Sequence, residues 1–176
     1  MFEAEIEKLL TEKGASLVGF SALGESFCDM YPQYGYAVTI VRKLADAVVE
    51  TINGRPTMSY FQHYRITNTK LDLLALDAMD FIESMGYYAL PIAASQSTND
   101  KKEEYRGIFP HKTGAVLSGL GFIGKNGLLI TPQFGARSVL VGVAMREKRP
   151  ALVITFPTTA AAMGCESLCI ERGLPG

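Results

Sequence analysis

The stretch from Thr57 to Met85 places the tightest constraint on the fold, because its pattern predicts one long amphipathic helix. Its apolar residues recur at steps of three and four, whereas its charged residues fall elsewhere on the helix. The stripe that these steps define consists of Leu71, Leu74, Ala78, Phe81, Ile82 and Met85. Gly86 follows directly and has the character of a C-cap. The stripe marks the side of the helix that packs against the rest of the chain.

Shorter helices and strands precede and follow this helix along the sequence in an irregular order. Further helices are predicted at 2–13, 44–52 and 111–118, and strands at 16–22, 36–41, 87–94, 127–131 and 138–145. The last two strands are predicted to meet in a hairpin through Pro132 to Gly135. Pro91 places the third strand at an edge or a bulge. The order predicts an α+β fold, with a mainly antiparallel or mixed sheet flanked by helices.

Length and composition narrow the class of protein. A chain of 176 residues favours one domain, predicted at 1–149, with an irregular tail at 150–176. The net charge of −1 argues against a protein held on nucleic acid mainly by phosphate contacts, although a local site for tRNA stays open. No apolar run approaches the roughly 20 residues of a membrane span, and the N-terminus is not a signal peptide. We therefore expect a cytoplasmic protein with no membrane partner.

The segment Gly119 to Gly124 matches G-x-G-x-x-G, a pattern that binds dinucleotides only between a strand and a helix. Here helix-like residues precede the glycines and a strand follows, and the expected acidic residue about 20 positions later is missing. Two interpretations stay open. The loop amides form an anion-binding nest to which Lys125 and Asn126 contribute, or the glycines make a tight turn under a helix.

The run from His111 to Arg137 resembles the signature of the epoxyqueuosine reductase-like family. That signature is a basic helix, then A-G-L-G-[WF]-I-G-K-N, then a strand that ends in a P-x-[YF]-G turn. Upstream, the segments 60–65 and 86–96 resemble a subgroup of the same family. The likeness covers most of residues 1–149.

The resemblance implies a nitroreductase-like layered fold that holds cobalamin. In that family a ferredoxin domain with two [4Fe-4S] clusters follows, so an electron-donor ferredoxin domain or protein is the expected partner. This chain offers only Cys165 and Cys169 at C-x-x-x-C spacing, which does not support a cluster. The tail is either the remnant of a ferredoxin module or an ordinary tail. The third cysteine, Cys28, receives no role, and reduced thiols are expected.

The resemblance and the loop chemistry together give a set of candidate cofactor-binding residues. They are Ser95, Gln96, His111, Lys112, Gly121, Gly124, Lys125, Asn126 and Arg137. His63, which shares a helical face with Tyr60 and Tyr64, is either a cobalt ligand or proton relay, or a satisfied structural histidine.

No catalytic residue is assigned. Ala94 stands where the tRNA-modifying enzymes of the family carry an acidic residue, which makes epoxyqueuosine a doubtful substrate. The leading expectation is a cobalamin-binding oxidoreductase domain that is not self-sufficient. The alternatives are a non-enzymatic corrinoid-handling module and a flavin-binding nitroreductase-like protein. Self-association is also expected from the apolar composition and the aromatic loop at Tyr31 to Tyr36.

Overall fold

The computed structural model describes residues 2–23, 33–95 and 109–146. The helices are α1 (Phe2–Glu12), α2 (Asp46–Val49), α3 (Met58–Ser84) and α4 (His111–Leu117). The strands are β1 (Leu17–Ala22), β2 (Tyr36–Lys43), β3 (Tyr88–Ile92), β4 (Phe122–Ile123), β5 (Leu129–Ile130) and β6 (Ser138–Arg146). The predicted α+β class is confirmed, although α2 is shorter than predicted. Gln96, the three cysteines and the tail 150–176 lie outside the described residues.

Four strands form an antiparallel sheet in the order β1-β2-β6-β3. β3 lies at the edge, as Pro91 predicts, because proline has no N–H to donate to a second neighbour. Among the described residues, no helix is long and apolar enough to cross a membrane.

The predicted hairpin between the last two strands is wrong. β5 pairs with β4 in a separate two-stranded sheet, with Phe122 opposite Ile130, whereas β6 lies between β2 and β3. The turn from Thr131 to Gly135 closes on itself through two backbone hydrogen bonds of 3.0 and 2.8 Å. β6 is buried over most of its nine residues, and a strand buried on both faces occupies the centre of a sheet.

Helices α1 and α3 cover one face of the sheet and enclose the main core. Fully buried Leu71, Leu74 and Ile82 of α3 pack with strand residues such as Ile40 and Val141. Each such side chain contributes roughly 1.5–3 kcal/mol through its burial.

Both ends of α3 are capped. At its start, the Thr57 hydroxyl accepts a hydrogen bond of 3.2 Å from the N–H of Tyr60. At its end, Gly86 has φ +91° and passes the chain to β3. The predicted C-cap role of Gly86 is confirmed.

Helix α4 lies across the opposite face, over a row of small residues. Gly19, Thr39 and Gly142 are register partners on β1, β2 and β6. A Cβ at Gly19 would lie 2.6 Å from the Cβ of Ser118, and one at Gly142 would lie 2.8 Å from the ring of Phe109. The small row therefore permits a close approach of α4 to the sheet, and it brings the start of α4 beside β6.

Candidate functional site

A cavity of about 420 Å³ opens at the end of the sheet where β6 begins. Tyr60 and Tyr64 of α3 form one side of it, and their rings stack with centroids 6.3 Å apart. The other walls come from the start of α4, the β4–β5 hairpin and β6. Those walls comprise Phe109 to Thr113, Ile123, Leu128, Leu129 and Ser138 to Leu140, with Leu44, Ala94 and Ala136 completing the lining.

His111 is the predicted site residue that lies deepest in this arrangement. Its Nε2 is 3.0 Å from the carbonyl oxygen of Ala93, which only accepts, so Nε2 carries the proton and donates. Nδ1 is buried and has no hydrogen-bond partner among the described residues. Burial lowers the pKa of His111, against the opposing effects of the Ala93 hydrogen bond and the charge of Asp72. His111 is therefore a neutral donor at neutral pH.

The chain just after β3 is held from two sides. His111 donates to the carbonyl of Ala93, and Asp72 of α3 accepts a 2.8 Å hydrogen bond from the N–H of Ala94. Ala94 lines the cavity, whereas Ser95 is exposed and does not. This clamp fixes the backbone at the position where the family resemblance leads one to look for an acid.

The glycine-rich segment is built as a helix end followed by a hairpin. Gly119, with φ +71°, ends α4 in a Schellman motif, in which its own N–H donates to Val116 and that of Leu120 donates to Ala115. A Cβ at Gly121 would lie 2.1 Å from the carbonyl oxygen of Ile130. The N–H of Gly124 donates to the carbonyl of Leu128 at 2.9 Å. The Gly124 N–H is thus already used within the hairpin, and the tight-turn interpretation accounts for these contacts, whereas an anion nest formed by the other loop amides stays a prediction.

Lys125 and Asn126 lie exposed in the turn of the hairpin and do not line the cavity. The Asn126 side-chain oxygen accepts a 3.1 Å hydrogen bond from the N–H of Leu128 and so shapes the turn. Lys112 does line the cavity, and its Nζ donates to the carbonyl of Gly127 at 2.6 Å. Lys112 thus ties the hairpin to α4 at the cavity mouth.

The polar groups of Arg137 and His63 form hydrogen bonds with residues that do not line the cavity. Arg137 donates to Asp46 at 3.0 Å. Hydrogen bonds from Lys43 and from Arg137 hold the pKa of Asp46 below its usual value. His63 accepts a 3.0 Å hydrogen bond from the N–H of Ala45 through Nε2, which fits the satisfied structural histidine. The described residues contain no cluster of three or more His, Cys, Asp or Glu that could hold a metal ion.

Several lining residues carry no signal in the sequence. Thr113, Ile123, Leu128 and Ser138 reach the cavity only because α4, the hairpin and β6 converge there. The family resemblance indicates their charged neighbours as binding residues. An apolar or hydroxyl residue in the segment His111 to Arg137 carries no separate sign that it faces a ligand.

Comparison with known proteins gives a fold and no sequence family. No family profile and no curated protein sequence matches the chain. Among solved structures, the catabolic reductive dehalogenase NpRdhA matches with a TM-score of 0.66 and 17% identity, over 80% of this chain and 20% of that chain. One such structure is described as suggesting a mechanism for B12-dependent dehalogenation.

Epoxyqueuosine reductase with a modified tRNA-Tyr stem loop matches with a TM-score of 0.50 and 16% identity, over 96% of this chain and 50% of that chain. The enzyme from Bacillus subtilis matches equally well, over 90% of this chain and 49% of that chain. The chain therefore has an epoxyqueuosine reductase-like fold, which confirms the predicted likeness. It spans about a fifth of the dehalogenase and about half of the epoxyqueuosine reductases, and the nitroreductase-like label stays a prediction.

Proposed function

We propose that the chain is the cobalamin-binding module of a corrinoid-dependent reductase and that the cavity beside α4 receives an edge of the cofactor. One observation carries this proposal. The segment His111 to Arg137, which resembles the family signature, supplies a wall of the cavity in a fold shared with reductive dehalogenases and epoxyqueuosine reductase.

The chemistry of the lining fits part of a corrinoid. The ring has apolar faces and a rim of amide side chains, which need hydrogen-bonding partners. The cavity offers apolar Leu129 and Val139 together with the polar groups of Tyr60, Tyr64 and Thr113. Its volume of about 420 Å³ lies near the lower end of the range for drug-sized ligands, about 300–1,000 Å³, and a whole cobalamin is larger than such ligands. The cavity would therefore hold only an edge or side arm of a bound cobalamin, and the remainder would lie outside it.

A bound corrinoid supplies a reducible cobalt centre, and the protein contributes binding, orientation and exclusion of water. In this chain Lys112 and the clamped Ala93–Ala94 backbone set the shape of the mouth. Electrons come from a ferredoxin domain or a separate partner.

Among the described residues, the lining contains no carboxylate. Its ionisable side chains are Tyr60, Tyr64, His111 and Lys112. The N–H of neutral His111 is already engaged by Ala93. The described part of the lining thus offers no carboxylic acid that could protonate an opened epoxide, and epoxyqueuosine is not the substrate that we propose.

Absorption spectroscopy tests the proposal. Cobalamin added to the pure chain is expected to shift its visible bands when the lower base is displaced. Thr113→Trp places a large ring at the cavity mouth and should weaken binding about tenfold or more, equivalent to about 1.4 kcal/mol. Thr11→Trp, on exposed α1, is the matched control and should bind like the wild type.

Absence of any spectral shift would reject the proposal, as would equal binding by both tryptophan variants. Co-purified yellow flavin would favour the flavin alternative. A Lys125→Ala, Asn126→Ala double variant tests the hairpin turn separately. We expect the double variant to weaken cobalamin binding less than Thr113→Trp does, because neither side chain lines the cavity.

A further inference from the structure

The outward side of α3 carries an apolar stripe that no other described element covers. Met58, Ile66, Leu73 and Leu76 are 73, 67, 53 and 46% exposed. They lie opposite the buried stripe that faces the sheet. The positions 62, 66, 69, 73, 76 and 80 follow steps of four and three, which is the spacing by which two helices pack along a common seam. The middle of this seam holds apolar Ile66, Leu73 and Leu76, and its other positions are polar, namely Gln62, Thr69 and Asp80.

Charges on the same side of α3 are segregated along its length. Arg65 lies beside Ile66 in the N-terminal half, whereas Asp80 and Glu83 lie in the C-terminal half, and all three are exposed. Asp77 is already paired with Lys13 of α1. Arg65 thus lies toward one end of the outward side, and Asp80 and Glu83 lie toward the other. Asp72, between them, already accepts the hydrogen bond from the N–H of Ala94.

We infer that a second copy of this chain docks on the stripe, with the two α3 helices antiparallel. That arrangement brings Ile66 of one copy to Leu76 of the other, and Leu73 to Thr69. Arg65 then lies within reach of Asp80 of the second copy, twice by symmetry. A parallel pair would instead set Arg65 against Arg65 and Asp80 against Asp80, so the charges select the antiparallel pair.

The size of the contact sets the strength of the association. From position 62 to position 80 the helix runs roughly 27 Å, at about 1.5 Å per residue. A single helix seam of that length covers less than the roughly 800 Å² per partner of a standard stable interface. The dimer is therefore weak and concentration-dependent. This inference does not depend on the proposed function, because the stripe is separate from the cavity residues.

Sedimentation velocity of the full chain, from micromolar to millimolar concentration, measures the association. The wild type should shift from monomer to dimer over this range. Leu73→Lys places a charge at the centre of the seam and should raise the dimer dissociation constant about tenfold or more. Ile52→Lys, at an exposed apolar residue outside α3, is the matched control and should dimerise like the wild type. A wild type that stays monomeric throughout overturns the inference, and so does dimerisation unaffected by Leu73→Lys.

Charge exchange tests the antiparallel arrangement by itself. Arg65→Glu and Asp80→Arg each set like charges against each other, so each variant alone should dimerise less than the wild type. An equal mixture of the two should recover association, because the introduced glutamate of one variant would then meet the introduced arginine of the other. Single variants that dimerise normally, or a mixture that stays monomeric, would overturn the antiparallel pairing.

Discussion

Replacing Gly121 with alanine should strain the join between β4 and β5. The φ of Gly121 is not positive, so alanine can adopt its backbone conformation. The new Cβ, however, would lie 2.1 Å from the Ile130 carbonyl oxygen and 2.9 Å from its carbon. Carbon–oxygen contacts settle at about 3.3–3.6 Å, so the two strands must separate by roughly 1 Å. The obstructing atoms are backbone and cannot rotate away.

The loss of stability expected for Gly121→Ala is large because the Ile130 backbone atoms cannot move aside. Overpacking a well-packed site costs about 1–3 kcal/mol, and a backbone obstacle puts Gly121→Ala near about 3 kcal/mol. For a chain of this length, about 1 kcal/mol shifts Tm by about 2–4 °C, so Tm should fall by about 6–12 °C. Gly35→Ala is the matched control, because a Cβ there would meet no atom of the described residues within 4 Å.

Thermal unfolding followed by circular dichroism measures both variants against the wild type. The anion-nest interpretation of this loop makes the opposite prediction, namely normal stability with weakened ligand binding. A Gly121→Ala protein that unfolds at the wild-type temperature would refute the steric argument.

Two further predictions concern titratable groups. Because burial lowers the pKa of His111, the folded chain releases that proton at lower pH than the unfolded chain, whose value is about 6.5. The contribution of His111 to stability is therefore complete above about pH 6.5 and declines as the pH falls from there toward the folded pKa. Wild type should lose more stability than His111→Gln between about pH 7.5 and about pH 5.5 in thermal unfolding, and equal losses would contradict this. Separately, Arg137→Ala should raise the pKa of Asp46 in an NMR titration but leave it below its ordinary value, since Lys43 still donates; cobalamin binding should not change.

Much of the fold could be predicted because it depends on the local periodicity of apolar residues. The edge position of β3 follows from Pro91. Four of the six predicted stripe residues of α3 are buried, namely Leu71, Leu74, Ala78 and Ile82, whereas Met85 is 49% exposed. The pairing of β5 could not be predicted in this way. The Pro132 to Gly135 sequence specifies that the chain turns, but it does not specify which strand lies beside β5 after the turn. β4 has only two residues, Phe122 and Ile123, too few for any alternating pattern.

The candidate site could likewise be predicted only in part. His111 and Lys112 reach the cavity because they begin a helix whose position is fixed by packing. Lys125 and Arg137 looked equally suitable as charged neighbours of the glycines, but the direction of a side chain depends on hairpin geometry and on partners such as Asp46. A sequence shows which polar side chains are present, but it does not show which groups they will face in the folded chain.

The row of small residues beneath α4 makes the cavity sensitive to positions that never touch it. Gly19 lies on β1, two strands away from β6, yet a Cβ there would press on Ser118 and Leu120, just past the C-terminal end of α4. Because α4 is only seven residues long, we expect a push at its C-terminal end to shift His111 and Lys112 at its start. The row thus acts as a spacer whose thickness sets the width of the entrance, and homologous chains with bulkier residues in it would have differently shaped mouths.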